Sequence, residues 1–296
     1  MYRFIFIVLI LFTIQLTGQD RTDTILSVQY EELTAPDFVT AVAKSHGVCI
    51  IPMGILEKHG AHLPLGTDMI NIREIAIRAA MQEYVVVFPP YYFGQIHEAR
   101  HQPGTIAYSS KIIWDLLQET CDELARNGFT KIMLVNGHGG NNDFLNYFVF
   151  SQNAFPKSYG LYLYKPVPDQ EVLAKVEEMR KSEKEDMDGG DEETSVTMVV
   201  RPDLVKIKTA NDQSGEDQDR LSSLSGIYTS LWWYARFPNH YAGDASSANI
   251  ELGRFLVDEK VKQLTKAIQK VKSDTSLNKL QKQFFKESQN PLKTKQ

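Results

Sequence analysis

Two hydrophobic periodicities alternate along this chain, and the switches between them mark out strands and helices. A short unbroken apolar run at 48–52 has the length and composition of a buried strand. Over 71–83 the apolar positions Ile72, Ile75, Ala76 and Ala79 recur at helical spacing. The β-branched stretch 84–88 predicts a strand that Pro89-Pro90 stops. An amphipathic helix is predicted over 111–127, buried through Ile112, Ile113, Leu116, Leu117 and Leu124, with Gly128 in the C-cap position. A strand over 131–135, a helix over 143–153 and a strand over 160–164 follow. The charged stretch 171–186 predicts a solvated helix, 193–200 fits helix or strand up to Pro202, and 248–271 predicts a long helix. Strands that alternate with helices indicate an α/β fold with a mainly parallel sheet.

Three polar clusters interrupt this pattern where strands end. The first runs from Pro52 to Asp68 directly after the first strand. In a parallel sheet, sites form at the carboxyl ends of strands. Glu57 and His59 are two apart, so an extended backbone points both side chains the same way. Asp68 follows just before a helix, and this donor set suits zinc, manganese or iron. Singly, Glu57 and His59 also read as loop residues, His62 as a surface residue and Asp68 as a helix N-cap.

The second cluster, Asn136-Gly137-His138-Gly139-Gly140-Asn141-Asn142, is a glycine-rich strand-to-helix turn. Such a turn can cradle phosphate on backbone N–H groups, but this one fits neither nucleotide-binding glycine pattern. The better reading is a tight turn that presents His138 to a metal. The third cluster, Asp188-Gly189-Gly190-Asp191-Glu192-Glu193-Thr194-Ser195, reads by itself as an acidic loop or a helix N-terminus.

Together these segments resemble the creatininase (creatinine amidohydrolase) family. The run Glu57-x-His59-Gly60-x-His62-Leu63-Pro64-x-x-Thr67-Asp68 is similar to its first motif, 136–141 to its second, and Gly190-x-x-Glu193-Thr194-Ser195 to its third. Gly94 with His101-Gln102-Pro103-Gly104-Thr105, and 243–248 with Gly253-Arg254, resemble further family blocks in the expected order. The resemblance implies a three-layer α/β/α sandwich with a dinuclear metal centre, often in a homohexamer. It implies Glu57, His59, Asp68 and His138 as metal ligands, with Asp68 bridging. Creatininase has a Glu ligand where this chain has Gly140, so Glu193 is expected as the fifth ligand or as an acid close to the metals. Asp188 stands where the family's proton-moving His stands, which argues against creatinine itself as substrate.

The implied activity is hydrolysis of a non-peptide C–N bond in a small amide, cyclic amide or formamide, through a hydroxide bridging two divalent ions, zinc first and manganese or iron next. Asp188, Glu193 or His101 would protonate the leaving nitrogen. Deformylation or peptide trimming on the same centre is the alternative within enzymes. A non-catalytic exported protein that keeps the fold and binds metal or ligand is the alternative outside them.

Composition bounds the remaining questions. A net charge of −5 without a basic block argues against a nucleic-acid partner. Arg3, the apolar run from Phe4 to Ile14 and the following Gly18 predict a cleaved secretory signal at 1–18, hence an exported protein without a stable membrane anchor. One catalytic domain is expected over 19–272, then a Lys-rich tail over 273–296 in which Leu277, Leu280, Phe284 and Phe285 share one helical face. Cys49 and Cys121 lie in apolar patterns and read as separately buried thiols. Trp232 and Trp233 read as core, interface or pocket lining.

Overall fold

The structure is a computed structural model and describes residues 25–167 and 169–294. The predicted secretory signal at 1–18 lies outside the described residues. Strands β1 (Val48–Met53), β2 (Val86–Val87), β3 (Lys131–Asn136) and β4 (Gly160–Tyr164) form one parallel sheet in the order β2-β1-β3-β4. Strict side-chain alternation along the two central strands builds the layers. Cys49, Ile51 and Met53 of β1, with Ile132 and Leu134 of β3, enter one buried cluster. Val48 and Ile50, with Met133 and Val135, enter the other.

The first cluster is covered by α1 (Ala35–Lys44), α3 (Ser110–Arg126) and α4 (Asn142–Ser151), which contribute Ala41, Leu117, Cys121, Leu124, Leu145 and Phe148. The second is covered by α2 (Thr67–Gln82), α5 (Gln170–Met179), α6 (Asp191–Val200) and α8 (Ile250–Ser273). Both faces of the sheet are therefore packed, which is why its central strands are apolar throughout. The result is the expected three-layer α/β/α sandwich. Both cysteines are buried and free. Among the described residues no helix is long and apolar enough to cross a membrane.

The structure departs from the pattern-based expectations where packing overrides periodicity. The stretch 193–200 is helical and starts at Asp191. The helix predicted over 171–186 stops at Met179 because Arg180 turns extended and its guanidinium binds the Asp191 carboxylate. The strand expected at 84–88 pairs as β2 over only two residues, at the sheet edge. Helix α1 was not anticipated, although Thr34 caps it by accepting from the Asp37 amide and Pro36 lies in its first turn. Two further helices, α7 (Trp232–Arg236) and α9 (Leu277–Ser288), complete the described chain. The last of these makes the expected tail an ordered element. The Asp274 carboxylate accepts from the Tyr162 hydroxyl at 2.8 Å and from the Ser276 and Leu277 amides, which ties the start of α9 to β4.

The second helical layer depends on one close approach. A Cβ on Gly253 of α8 would stand 2.0 Å from the Ser195 carbonyl oxygen of α6. A Gly-to-Ala change inside an exposed helix usually stabilises by about 0.5–1 kcal/mol. Here the sign should reverse: Gly253→Ala is expected to lower stability by about 1–3 kcal/mol in denaturant unfolding, because backbone must move to admit the methyl. A stabilised variant would contradict the packing described.

Candidate metal centre

The register of β1 on β3 sets the site. Met53 pairs with Asn136, so both strands end at one edge and release the first two polar clusters side by side. The first loop folds back on α2 at Gly54, where a Cβ would meet the Met69 amide nitrogen at 2.2 Å. The loop closes through the Glu57 amide on the Leu65 carbonyl and the Thr67 hydroxyl on the Pro64 carbonyl. Asp68 sits inside α2, whose N-cap is Gly66, so its carboxylate is free to face the sheet edge rather than cap the helix.

Six side chains converge there. The His59 Nε2 lies 3.2 Å from Asp68, 3.6 Å from Glu57, 3.6 Å from Glu193 and 3.7 Å from Asp188 carboxylate oxygens. The His138 Nδ1 lies 2.9 Å from Glu57 Oε1 and 3.0 Å from Asp68 Oδ2. The other ring nitrogen of His138 donates to the Gln95 carbonyl at 3.0 Å, which turns Nδ1 towards the carboxylates. A Cβ on Gly140 would stand 2.5 Å from His138 Nε2, so glycine there leaves the ring its place. Glu57 and His59 are each 1% exposed.

Burial and charge together shape the protonation states. Burial alone would lower both imidazoles, but Glu193, Asp68 and Asp188 hold His59 well above its ordinary value, and Glu57 and Asp68 do the same for His138. Burial opposes ionisation of Glu57 and Asp68, yet the two imidazoles outweigh it and keep both carboxyls below their usual range. Asp188 is pushed well above it by burial and by its acidic neighbours. Glu193 is pushed up to about 7, first by burial.

Four carboxyl groups gathered around two imidazoles do not ionise alike: the imidazoles balance Glu57 and Asp68, while Asp188 and Glu193 are pushed towards their neutral forms. The Asp188 Oδ2 and His59 Nδ1 atoms are buried without a hydrogen-bond partner. Ligand atoms of Glu57, Asp68 and His138 fall within 4.8 Å of one another, as do those of His59, Asp68 and Glu193, and those of Glu57, His59 and Asp188. Oxygen and imidazole donors in this number fit divalent cations, and Asp68, common to the first two sets, can serve two ions. All five residues expected as ligands thus meet in one place, and Asp188 joins them.

His101 does not join this cluster. It is exposed on the rim, where its ring nitrogen donates to the Pro238 carbonyl at 2.9 Å, alongside the Gln102 amide at 2.7 Å. His62, read singly as a surface residue, is buried. Its Nε2 lies 3.0 Å from the Gly189 carbonyl and 2.9 Å from the Thr194 hydroxyl, and burial lowers its pKa to about 4. It ties the first motif to the turn that carries Asp188. Sequence reasoning missed His240, whose Nε2 hydrogen-bonds Glu57 Oε2. A lone His with no partner at a diagnostic spacing carries no sequence signal. The cluster opens on a cavity of about 1500 Å³ that Trp232, Trp233, Tyr234 and Arg100 also line.

A family model described as creatinine amidohydrolase matches residues 31–268. The creatinine amidohydrolase of Pseudomonas putida is 30% identical over 124 residues, 40% of this chain and 48% of that protein. A mycofactocin precursor peptide peptidase of Mycolicibacterium smegmatis is 34% identical over 98 residues, 31% of this chain and 39% of that protein. Each match spans about half or less of the relative's length. A solved manganese form of creatininase superposes with a TM-score of 0.70 at 22% identity, covering 84% of this chain and 100% of that one, which shows the shared fold.

The raised imidazoles make metal uptake compete with protons. With their pKa values above the ordinary range, His59 and His138 hold protons near neutrality in the metal-free protein, and a cation must displace them. Apparent affinity for Zn²⁺ or Mn²⁺ should therefore rise with pH until both rings are deprotonated. Calorimetric titration in buffers of different ionisation enthalpy should register proton release, and binding without release would contradict these protonation states.

Proposed function

The chain belongs to the creatininase family, and we propose that it is a metal-dependent amidohydrolase that cleaves a non-peptide C–N bond in a small amide, cyclic amide or formamide. The observation that carries this reading is the convergence of buried Glu57, His59, Asp68, His138 and Asp188 with partly exposed Glu193 at one strand edge beside a cavity. Glu57, Asp68 and His138 would hold one divalent ion and His59, Asp68 and Glu193 a second, zinc first by donor type, manganese or iron next. Such ions, when bound, supply Lewis-acid charge and bring the pKa of water towards neutrality.

The chain's own residues divide the remaining work. Glu57 and Asp68 are held ionised by the two imidazoles, so they stay available as anionic ligands. Asp188 lines the cavity, and burial pushes its carboxyl well above the usual carboxylate range. It is therefore the group suited to deliver a proton to the leaving nitrogen. Glu193, pushed up to about 7, can take up or release a proton near neutrality when no cation claims it. His101, engaged with Pro238 at the rim, acts on this reading by shaping the cavity mouth.

The cavity volume favours one second reading. About 1500 Å³ exceeds the roughly 300–1,000 Å³ of common small-ligand sites, which leaves room for a peptide-borne amide. The peptidase relative is consistent with it. The proposal also takes the protein to be exported and to form a homo-oligomer such as a hexamer, supported by the apolar run after Arg3 and by the exposed side chains of Ile112, Tyr147, Phe150 and Phe155.

Metal analysis of the purified protein, followed by a panel of formamides, lactams and short peptides, tests these readings together. Glu57→Gln should abolish turnover, with a loss of at least about 10²-fold, and full activity after that change would refute the mechanism. Asp188→Asn should lower kcat by about 10²–10⁴-fold on substrates with poor leaving groups. A metal-loaded protein that turns over no member of the panel would favour a binding function instead.

A further inference from the structure

Glu57 has two carboxylate oxygens with different surroundings. Its Oε1 faces His138 Nδ1 at 2.9 Å and His59 Nε2 at 3.6 Å. Its Oε2 takes a hydrogen bond from His240. Behind His240 stands Trp233, whose indole nitrogen lies 2.9 Å from His240 Nδ1. An indole N–H only donates, so Nδ1 must accept, and a ring with one proton carries it on Nε2. The order of donation therefore runs from Trp233 to His240 to Glu57.

The loop that carries His240 is fastened on several sides. The Gly60 amide donates to the His240 carbonyl at 3.3 Å, and the Lys58 ammonium reaches the Asn239 carbonyl. His101 and Gln102 hold the Pro238 carbonyl. His240 itself is buried, with a left-handed backbone at φ 51°, a conformation that a non-glycine residue keeps only where its surroundings hold it. Trp233 sits in α7 between Trp232 and Tyr234, and all three line the cavity. Tyr234 in turn packs edge-on against His101, with ring centroids 4.8 Å apart.

We infer that Trp233 and His240 are positioning residues for Glu57: they hold its Oε2 in a directed hydrogen bond so that only Oε1 is presented to the ligand cluster. The inference rests on the metal reading proposed above and goes beyond it. Residues of this kind orient a ligand that touches the ion, and their loss commonly weakens metal affinity 10–100-fold. The same link joins the aromatic wall of the cavity to the proposed metal centre.

The test compares the full-length protein with Trp233→Phe, His240→Phe and His240→Gln, by chelator-competition titration with Zn²⁺ and by melting with and without the metal. Trp233→Phe keeps an aromatic ring and removes the N–H. His240→Gln keeps a side-chain N–H able to donate to Glu57. Trp233→Phe and His240→Phe should weaken one of the two metal equivalents by about 10–100-fold. The metal-induced rise in melting temperature should shrink more than the metal-free melting temperature falls. His240→Gln should recover most of the affinity. Wild-type affinity for both equivalents in Trp233→Phe and His240→Phe would overturn the inference. So would metal-free destabilisation with an unchanged metal increment. If the unmodified protein bound no metal, the metal reading would fail on its own. The imidazole ¹⁵N shifts of His240 in the metal-free protein would then decide the relay: an Nε2–H tautomer lost in Trp233→Phe supports it, and an Nδ1–H tautomer in the unmodified protein refutes it.

Discussion

A concentration of buried like charge is the constraint on which this structure turns. Glu57, Asp68, Asp188 and Glu193 approach His59 within 3.7 Å, and all of these but the partly exposed Glu193 are buried. Carboxylates so close repel one another and lose hydration, and two imidazoles offset only part of that cost. The protein tolerates the arrangement because stiff elements deliver each group. Glu57 and His59 follow β1, His138 follows β3, Asp68 is carried by α2, and Glu193 by α6. Site and scaffold are thus one problem: the sheet register and the α6–α8 contact at Gly253 decide whether the charges meet.

Around that centre, polar side chains serve as fasteners. His62 fixes the turn bearing Asp188, Gln95 orients His138, and His240 orients Glu57. None of these contacts creates the chemistry; each removes rotational freedom from a group that does. His101 belongs with them by geometry, since its ring serves the Pro238 carbonyl and stands apart from the carboxylates. A catalytic part and a fastening part look alike in a sequence, because a histidine is suited to both.

The motifs and the order of elements were legible because local rules govern them. The unbroken apolar run within 131–136 and helical spacing in 110–126 announce a strand and a helix before any tertiary contact forms. The metal-type residues stood out because Glu57, His59 and Asp68 are crowded into one loop after a strand. The 193–200 stretch had no such clarity, and its packing against α8 made it a helix. Cavity lining by Trp232 and Trp233 was equally undetermined, since paired aromatics suit a core, an interface or a pocket alike.

By itself, the sequence determined the alternating α/β layout, since spacing along a strand or loop is a local property, and it carried the family resemblance that implied the five residues expected at the metals. Only the tertiary structure decided that Asp188 lies among the residues expected as ligands, that His62 is buried, and that Trp233 and His240 stand behind Glu57. Those relations join positions more than a hundred residues apart. Their energies come from burial and hydrogen bonds that exist only once the loops have closed over the sheet edge.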